Sequence, residues 1–296
     1  MGQEHHHHHA HSAIQKLNSH SLTTAFYVGI VLNSLFVIVE LIYGISQHSL
    51  SLISDAGHNL FDVLCLVLAL ISVWLCKVKT SEQYAFGYKK VSIIVAFFNS
   101  AVLLISVFVI FYEAILRLKN PAPLQGKTIA IVALAGILVN GVSALFFLSH
   151  KQEDVNVKSA YWHLLADMLL SLAVCIGGVV IYYTGYTKID ALLSMLISVI
   201  IAWSSWKLLK ESFELLIGKT PASVNKSEIS KLILDTRGVK TLKLLRIWAV
   251  STNEFAAHIN VELEEGFSTA SQQEIKVQIC QSLKAKQITY LFWEIC

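Results

Sequence analysis

Six long apolar stretches, separated only by short polar breaks, restrict what this chain can fold into. They lie at 22–44, 51–76, 90–116, 128–149, 159–183 and 189–209. A helix of about 20 apolar residues crosses a hydrocarbon layer ~30 Å thick, so each stretch is long enough to span a membrane. The third and fifth are long enough to tilt or to project beyond it. The breaks leave no room for an intervening domain, so successive helices are expected to pack as neighbours. Composition agrees: 55% of the 296 residues are hydrophobic and 15% charged, against about half and a quarter in soluble domains. The first stretch is too long for the apolar core of a secretory signal, and no small-residue cleavage site follows it.

Basic residues near the helix ends give an orientation. Lys16, Lys77, Lys79, Lys89, Lys90, Lys151, Lys158, Lys207, Lys210 and Lys219 share the side of both termini, against Arg117, Lys119, Lys127 and Lys188 on the other. That bias and the even number of spans place both termini in the cytoplasm, as expected for a multi-pass protein of the inner (plasma) membrane.

From Lys210 onward the texture becomes that of a soluble protein. Residues 227–237 and 269–285 have helical spacing, while 242–250, 255–263 and 288–295 read as strands; in the second of these His258, Asn260 and Glu262 alternate with Ile259, Val261 and Leu263. The expected fold is an all-α six-helix transmembrane bundle, residues 21–210, followed by a small α+β (α-β-β-α-β) cytoplasmic domain, residues 211–296, with its helices on one face of a sheet. Residues 1–20 form a cytoplasmic tail carrying His5–His9 and His11. Such a run also reads as an expression tag. Five histidines followed by Ala10-His11, with no protease site, favour a native tail that collects metal.

Several classes are disfavoured. A net charge of +3 without any basic run interleaved with aromatics does not suggest nucleic acid as a partner. The five cysteines include no C-x-x-C pair, and Cys65 and Cys175 fall inside apolar spans, which fits reduced buried thiols rather than a disulfide framework.

The chemistry lies in ionisable residues within the spans, where a carboxylate is costly and marks function. The second span carries His58 and Asp62, the fifth His163 and Asp167. Residues i and i+4 share a helix face with Cβ atoms about 5–6 Å apart. Each helix therefore offers one imidazole nitrogen and one carboxylate oxygen to a common ion. Two such helices supply the four ligands of tetrahedral Zn2+. Ala56, Gly57 and Ala166 are small enough to let the two helices approach closely. Two nitrogens and two oxygens hold an ion moderately, which suits a site that must release it. Protons compete for the same four groups, so a metal/proton antiporter follows from the ligand types.

Other polar residues read less sharply. Asp55, one turn before His58, fits an outer ligand, a proton acceptor or a helix cap. Asp190 fits an N-cap. Glu40 and Glu113 lie toward span ends and are expected to reach headgroups, while Asn33, Asn99 and Asn140 suit interhelical hydrogen bonds.

Four stretches carry a family resemblance: Ser49-Leu50-Ser51-Leu52-Ile53-Ser54-Asp55-Ala56-Gly57-His58, Phe86-Gly87-Tyr88-Lys89-Lys90, Asn156-Val157-Lys158-Ser159-Ala160 leading to His163 and Asp167, and Asp190-Ala191-Leu192-Leu193-Ser194. With them the sequence resembles the cation diffusion facilitators, specifically their bacterial zinc-transporter branch, from the first span to the C-terminus. The resemblance implies a homodimer whose six-span domain exports Zn2+ from the cytoplasm in exchange for protons through His58, Asp62, His163 and Asp167. It also implies a metallochaperone-like cytoplasmic domain that contributes to dimer contact. Where the family often carries histidines before a strand Trp, this chain has Leu244-Leu245-Arg246-Ile247-Trp248, and near the last strand Thr289-Tyr290-Leu291. His258 is the only histidine after His163, so a regulatory zinc cluster in this domain is not expected.

Two readings from other classes compete. A polytopic membrane metalloenzyme needs a catalytic Glu beside its ligands and an open coordination position, and neither span two nor span five has a Glu. A metal sensor that does not transport has no need of ligands buried in two long spans. Within the transporter class, Co2+, Fe2+, Mn2+ and Cd2+ are alternative cargoes, although two imidazoles favour a Zn-like ion over Mn2+.

Overall fold

The computed structural model describes residues 5–46, 50–119, 126–149, 155–184, 188–266 and 268–295. Within these, the side chains of residues 5–21, 44, 50–55, 58, 126–130, 178, 181, 189–190 and 193 lie outside the description. The chain divides into two compact units, Met1–Val73 with Phe98–Leu208, and Trp74–Phe97 with Leu209–Cys296.

Six long helices dominate the first: α1 (His5–Ser46), α2 (Leu50–Leu75), α3 (Lys90–Lys119), α4 (Gly126–Leu148), α5 (Val155–Thr184) and α6 (Lys188–Leu216). Among the described residues, four segments are long and apolar enough to cross a membrane: Leu22–Tyr43, Lys90–Lys119, Ile131–Leu148 and Val155–Thr184. Asn59–Leu75 is a shorter apolar helix. α1 begins at His5, so the histidine run expected in a separate tail continues the first helix. No proline or glycine interrupts residues 5–28 to stop it; the histidine side chains themselves lie outside the described residues.

The helices wear their apolar side chains outward. Ile42, Phe61, Leu145 and Trp203 are all more than 55% exposed, whereas Asn33, Glu40, Asn59, Asp62, Asn99, Asn140, His163 and Asp167 are buried. Lipid can solvate the first set but not the second, so polar groups turn inward and find partners there. Asn33 on α1 donates to Gly29 O at 2.8 Å and to Ser143 Oγ on α4 at 3.3 Å. Asn99 on α3 donates to Cys65 O on α2 at 3.1 Å. These are the interhelical bonds expected of both.

A buried cluster joins four helices: Ala25 and Phe26 of α1, Leu66, Ala69 and Leu70 of α2, Ala144 and Phe147 of α4, and Val157, Ala160 and Leu164 of α5. Phe26 and Phe147 meet edge to face at 4.9 Å, a geometry that aligns the positive ring edge with the neighbour's negative face. Between α4 and α5 the approach depends on glycine. A Cβ added at Gly136 would stand 2.7 Å from Ser171 Oγ and 3.5 Å from a Phe36 ring carbon. In lipid, where apolar burial hardly drives helices together, such close packing is itself the adhesive.

α6 runs past the expected boundary at 209 because Lys210–Leu216 keeps helical spacing. It stops at Gly218, whose φ of +83° reverses the chain. Lys219 N then bonds Glu214 O at 2.9 Å and Gly218 N bonds Leu215 O at 3.2 Å, the paired closure of a Schellman motif.

In the second unit, α7 (Lys226–Leu234), β1 (Val239–Ala249), β2 (Phe255–Leu263), α8 (Thr269–Lys284) and β3 (Ile288–Ile295) follow in the α-β-β-α-β order. The strand order is β1-β2-β3, with β1 antiparallel and β3 parallel to β2. Asn225 caps α7 by accepting from Ser227 N and Glu228 N; Ser268 caps α8 by accepting from Ser271 N. α7 packs on β1, α8 packs on β3, and the two helices touch, so both cover one face. The other face carries Trp248 stacked on a 46%-exposed Phe292 at 5.7 Å.

This unit also claims the segment before α3 and the first turns of α3 itself. Lys89 pairs with Glu254 at the β1–β2 turn at 2.5 Å and lies over the Tyr290 ring. Thr252 N donates to Ser92 Oγ at 3.2 Å, and Phe86 meets Tyr290 edge to face. Burial alone would lower the Lys89 pKa, but the hydrogen bonds and charges of Glu254 and Tyr290 outweigh it and hold it above the usual lysine value. Lys89 is therefore charged throughout the physiological range.

Replacing Gly136 tests the α4–α5 contact. Gly136→Val is expected to force the helices apart and to lower the thermal midpoint of the detergent-purified protein by several degrees, roughly the shift that 1–3 kcal/mol of overpacking produces. Differential scanning fluorimetry measures it.

Candidate metal centre

The carboxylate and imidazole groups of α2 and α5 converge because the apolar cluster clamps those helices side by side. Leu66 and Leu164, both in that cluster, stand one turn after Asp62 and one residue after His163. The same register that buries the leucines turns Asp62 toward α5 and His163 toward α2. His163 Nε2 hydrogen-bonds Asp62 Oδ1. It also lies 3.7 Å from Asp167 Oδ2, one helical turn along α5.

Asp62, His163 and Asp167 each offer a ligand atom within 4.8 Å of the other two, and all three are buried. Around a tetrahedral ion with bonds of about 2.0–2.1 Å, neighbouring donors stand about 3.3 Å apart. The 3.7 Å separation of His163 from Asp167 needs only a small side-chain adjustment to reach that. Two carboxylates buried beside one imidazole in an apolar bundle are a poor packing choice and a good cation trap, since each unneutralised charge is costly away from water.

A small cavity of about 10 Å³ opens beside them, lined by Asp62, Cys65, Leu66, Asn99, Ser159, Ala160 and His163. That is room for one water-sized atom. On α1, the buried Glu40 accepts a hydrogen bond from Asn59 Nδ2 at 2.7 Å.

Of the sequence-derived ligands, Asp62, His163 and Asp167 come together. His58 lies on α2 one turn before Asp62, but its side chain, like those of Asp55 and Asp190, lies outside the described residues. Two expectations are corrected. Glu40 does not reach headgroups: it is 2% exposed and engaged with Asn59. Its spacing from Asn33 and Phe26, seven and fourteen residues, puts all three on one helix face, a signal present in the sequence. Gly57 is not a point of close helix approach among the described residues, since a Cβ there would meet none of them within 4 Å. Ala56 and Ala166 are buried as small contact residues. Glu113 is half-exposed and 3.9 Å from Arg117.

Comparison with known proteins identifies the class to which this arrangement belongs. The family model described as the cation efflux transmembrane domain matches residues 26–217. The chain belongs to the cation diffusion facilitator family, in its bacterial zinc branch. It is 32% identical over 259 residues to the metal cation efflux system protein CzcD of Cupriavidus metallidurans, covering 88% of this chain and 81% of that protein. It is 37% identical over 240 residues to zinc transporter ZitB of Yersinia pestis, covering 80% and 75%. A cadmium, cobalt and zinc/H(+)-K(+) antiporter of Bacillus subtilis is 30% identical over 258 residues, covering 86% and 83%. This facilitator is accordingly a multi-pass membrane protein that transports divalent metal cations, and not an enzyme.

The three-residue cluster generates its own test. Asp62→Asn keeps the shape and removes the charge. Zinc affinity of the purified protein, read by competition with a chromophoric chelator, is expected to fall by at least the roughly 10–100-fold that losing even an outer-sphere partner costs a metal site. An unchanged affinity would separate Asp62 from the ion.

Proposed function

We propose that this facilitator moves Zn2+, or a similar divalent transition metal, out of the cytoplasm across the plasma membrane in exchange for protons. Six spans carry a tetrahedral site made of His58, Asp62, His163 and Asp167, and both termini are cytoplasmic. The convergence of Asp62, His163 and Asp167 inside an apolar bundle supports this reading most directly. The position of His58 on the same helix face as Asp62 supplies the fourth donor.

Exchange for protons follows from the donors. An ion needs neutral imidazole and ionised carboxylate, so the empty site takes up protons as it gives up metal. With ordinary values of about 6.5 for His and 3.9 for Asp, imidazole protonation competes with metal near neutral pH. Zinc binding is therefore strongest above that range and weakens as pH falls through it. The name of the Bacillus subtilis relative, an antiporter of H(+) and K(+), fits a counter-ion of this kind. Asp55 suits an entry group for either ion.

The working form we infer is a homodimer joined through the cytoplasmic α-β-β-α-β domain, residues 211–296. Its support is the sheet face bearing Trp248 and Phe292, which neither α7 nor α8 covers. The histidine run of α1 suits a cytoplasmic collector of metal.

Zinc uptake into proteoliposomes carrying a pH-sensitive dye tests the transport reading. The intact protein is expected to move zinc with proton counterflow, and uptake should slow when the metal-loading side is brought below about pH 6. Asp62→Ala and Asp167→Ala are each expected to abolish transport while circular dichroism shows helical content retained. Transport persisting in both variants would place the ion path elsewhere. Zinc movement without any pH change would reject the antiport.

A further inference from the structure

The cavity beside Asp62 and His163 has one lining group that sequence reasoning treated only as a helix tie. Asn99, on the third turn of α3, is 5% exposed. Its Nδ2 donates to Cys65 O on α2. Because a backbone carbonyl can only accept, this bond fixes which end of the amide is which. Oδ1 is then the opposite end, and it is buried with no hydrogen-bond partner among the described residues. A buried carbonyl oxygen without a partner is a costly arrangement and calls for an occupant.

Asn99 lines the same small cavity as Asp62, His163, Cys65 and Ser159. We propose that Asn99 Oδ1 is an additional oxygen donor to the transported ion and determines which divalent cations the site accepts. The inference rests on reading Asp62, His163 and Asp167 as the ion site, and it adds a third helix to it.

The chemistry of a neutral amide oxygen sets the direction of the effect. Zn2+ in protein sites usually closes its shell at four ligands. Larger or harder ions take further oxygens, and carbonyl oxygens suit them. A fifth, uncharged donor held at fixed orientation by Cys65 O broadens the site toward Cd2+ and Mn2+ without adding charge that would trap Zn2+. Asn140 provides a matched comparison. It is 2% exposed on α4 and its Oδ1 also has no hydrogen-bond partner among the described residues, yet it is not part of this cavity's lining.

The test measures Kd for Zn2+ and Cd2+ by isothermal titration on the full-length protein in detergent, for the parent, Asn99→Leu, Asn140→Leu and Asp62→Ala. Asn99→Leu is expected to weaken Cd2+ binding about tenfold or more, the scale on which single supporting groups act at metal sites, and Zn2+ by less than about threefold. Asn140→Leu should leave the Cd2+/Zn2+ ratio at the parent value. Should the leucine variant fail to fold, Asn99→Ser, which fits within the original volume and withdraws the carbonyl, carries the same comparison. A ratio within twofold of the parent in the folded Asn99 variant, or an equal shift in Asn140→Leu, overturns the assignment. If Asp62→Ala abolishes zinc binding while the Asn99 ratio is unmoved, only the role of Asn99 falls. If Asp62→Ala binds zinc normally, the site itself and the Asn99 role fall together.

Discussion

The contact between His163 and Asp62 joins α5 to α2 inside the bundle. Both groups sit in a bundle whose outward faces are dressed for lipid, so neither has water to fall back on. Their mutual approach, with Asp167 one turn away, concentrates negative potential at a point where a cation is the natural complement. The surrounding apolar cluster sets the distance: Leu66 and Ala160 line the cavity and also belong to the packed core. Core packing and ion binding are thus served by the same residues, and a change in either is felt by the other.

The bundle's construction follows from the same exclusion of water. Apolar side chains contribute little to helix association in lipid. Helices are instead held by close contact at Gly136, by the Phe26–Phe147 edge-to-face pair, and by the amide bonds of Asn33 and Asn99. The C-terminal sheet obeys the opposite rule. Ile229, Ile233, Ile259, Ile279 and Ile288 are buried to 2% or less between its helices and strands, an ordinary aqueous core. One chain therefore uses two folding solvents.

Much of this was legible before any coordinates. The His-x-x-x-Asp pairs declare a shared helix face because i and i+4 spacing is a local property, and the α-β-β-α-β order declares itself through period-two and period-3.6 patterns. What sequence spacing does not reveal is which face of a helix meets which neighbour. Glu40 was misread for that reason: its depth depends on Asn59 of another helix. Gly57 was misread because smallness permits close approach without requiring it. The reach of α1 back to His5 was hidden by a compositional habit of reading histidine runs as tails. Asn99 was seen as a tie between helices, which it is. Only the three-dimensional structure shows that it also lines the cavity beside Asp62 and His163.

One helix, α3, belongs to both compact units. α3 is an unbroken helix that starts at Lys90 in the unit containing the sheet and continues from Phe98 into the unit containing the carboxylates. Asn99 lies nine residues along it, about 14 Å at 1.5 Å per residue. With Ser92 bonded to Thr252 and the preceding Lys89 paired with Glu254, the first turn of α3 is held by the β1–β2 turn. One helix thus serves two cores.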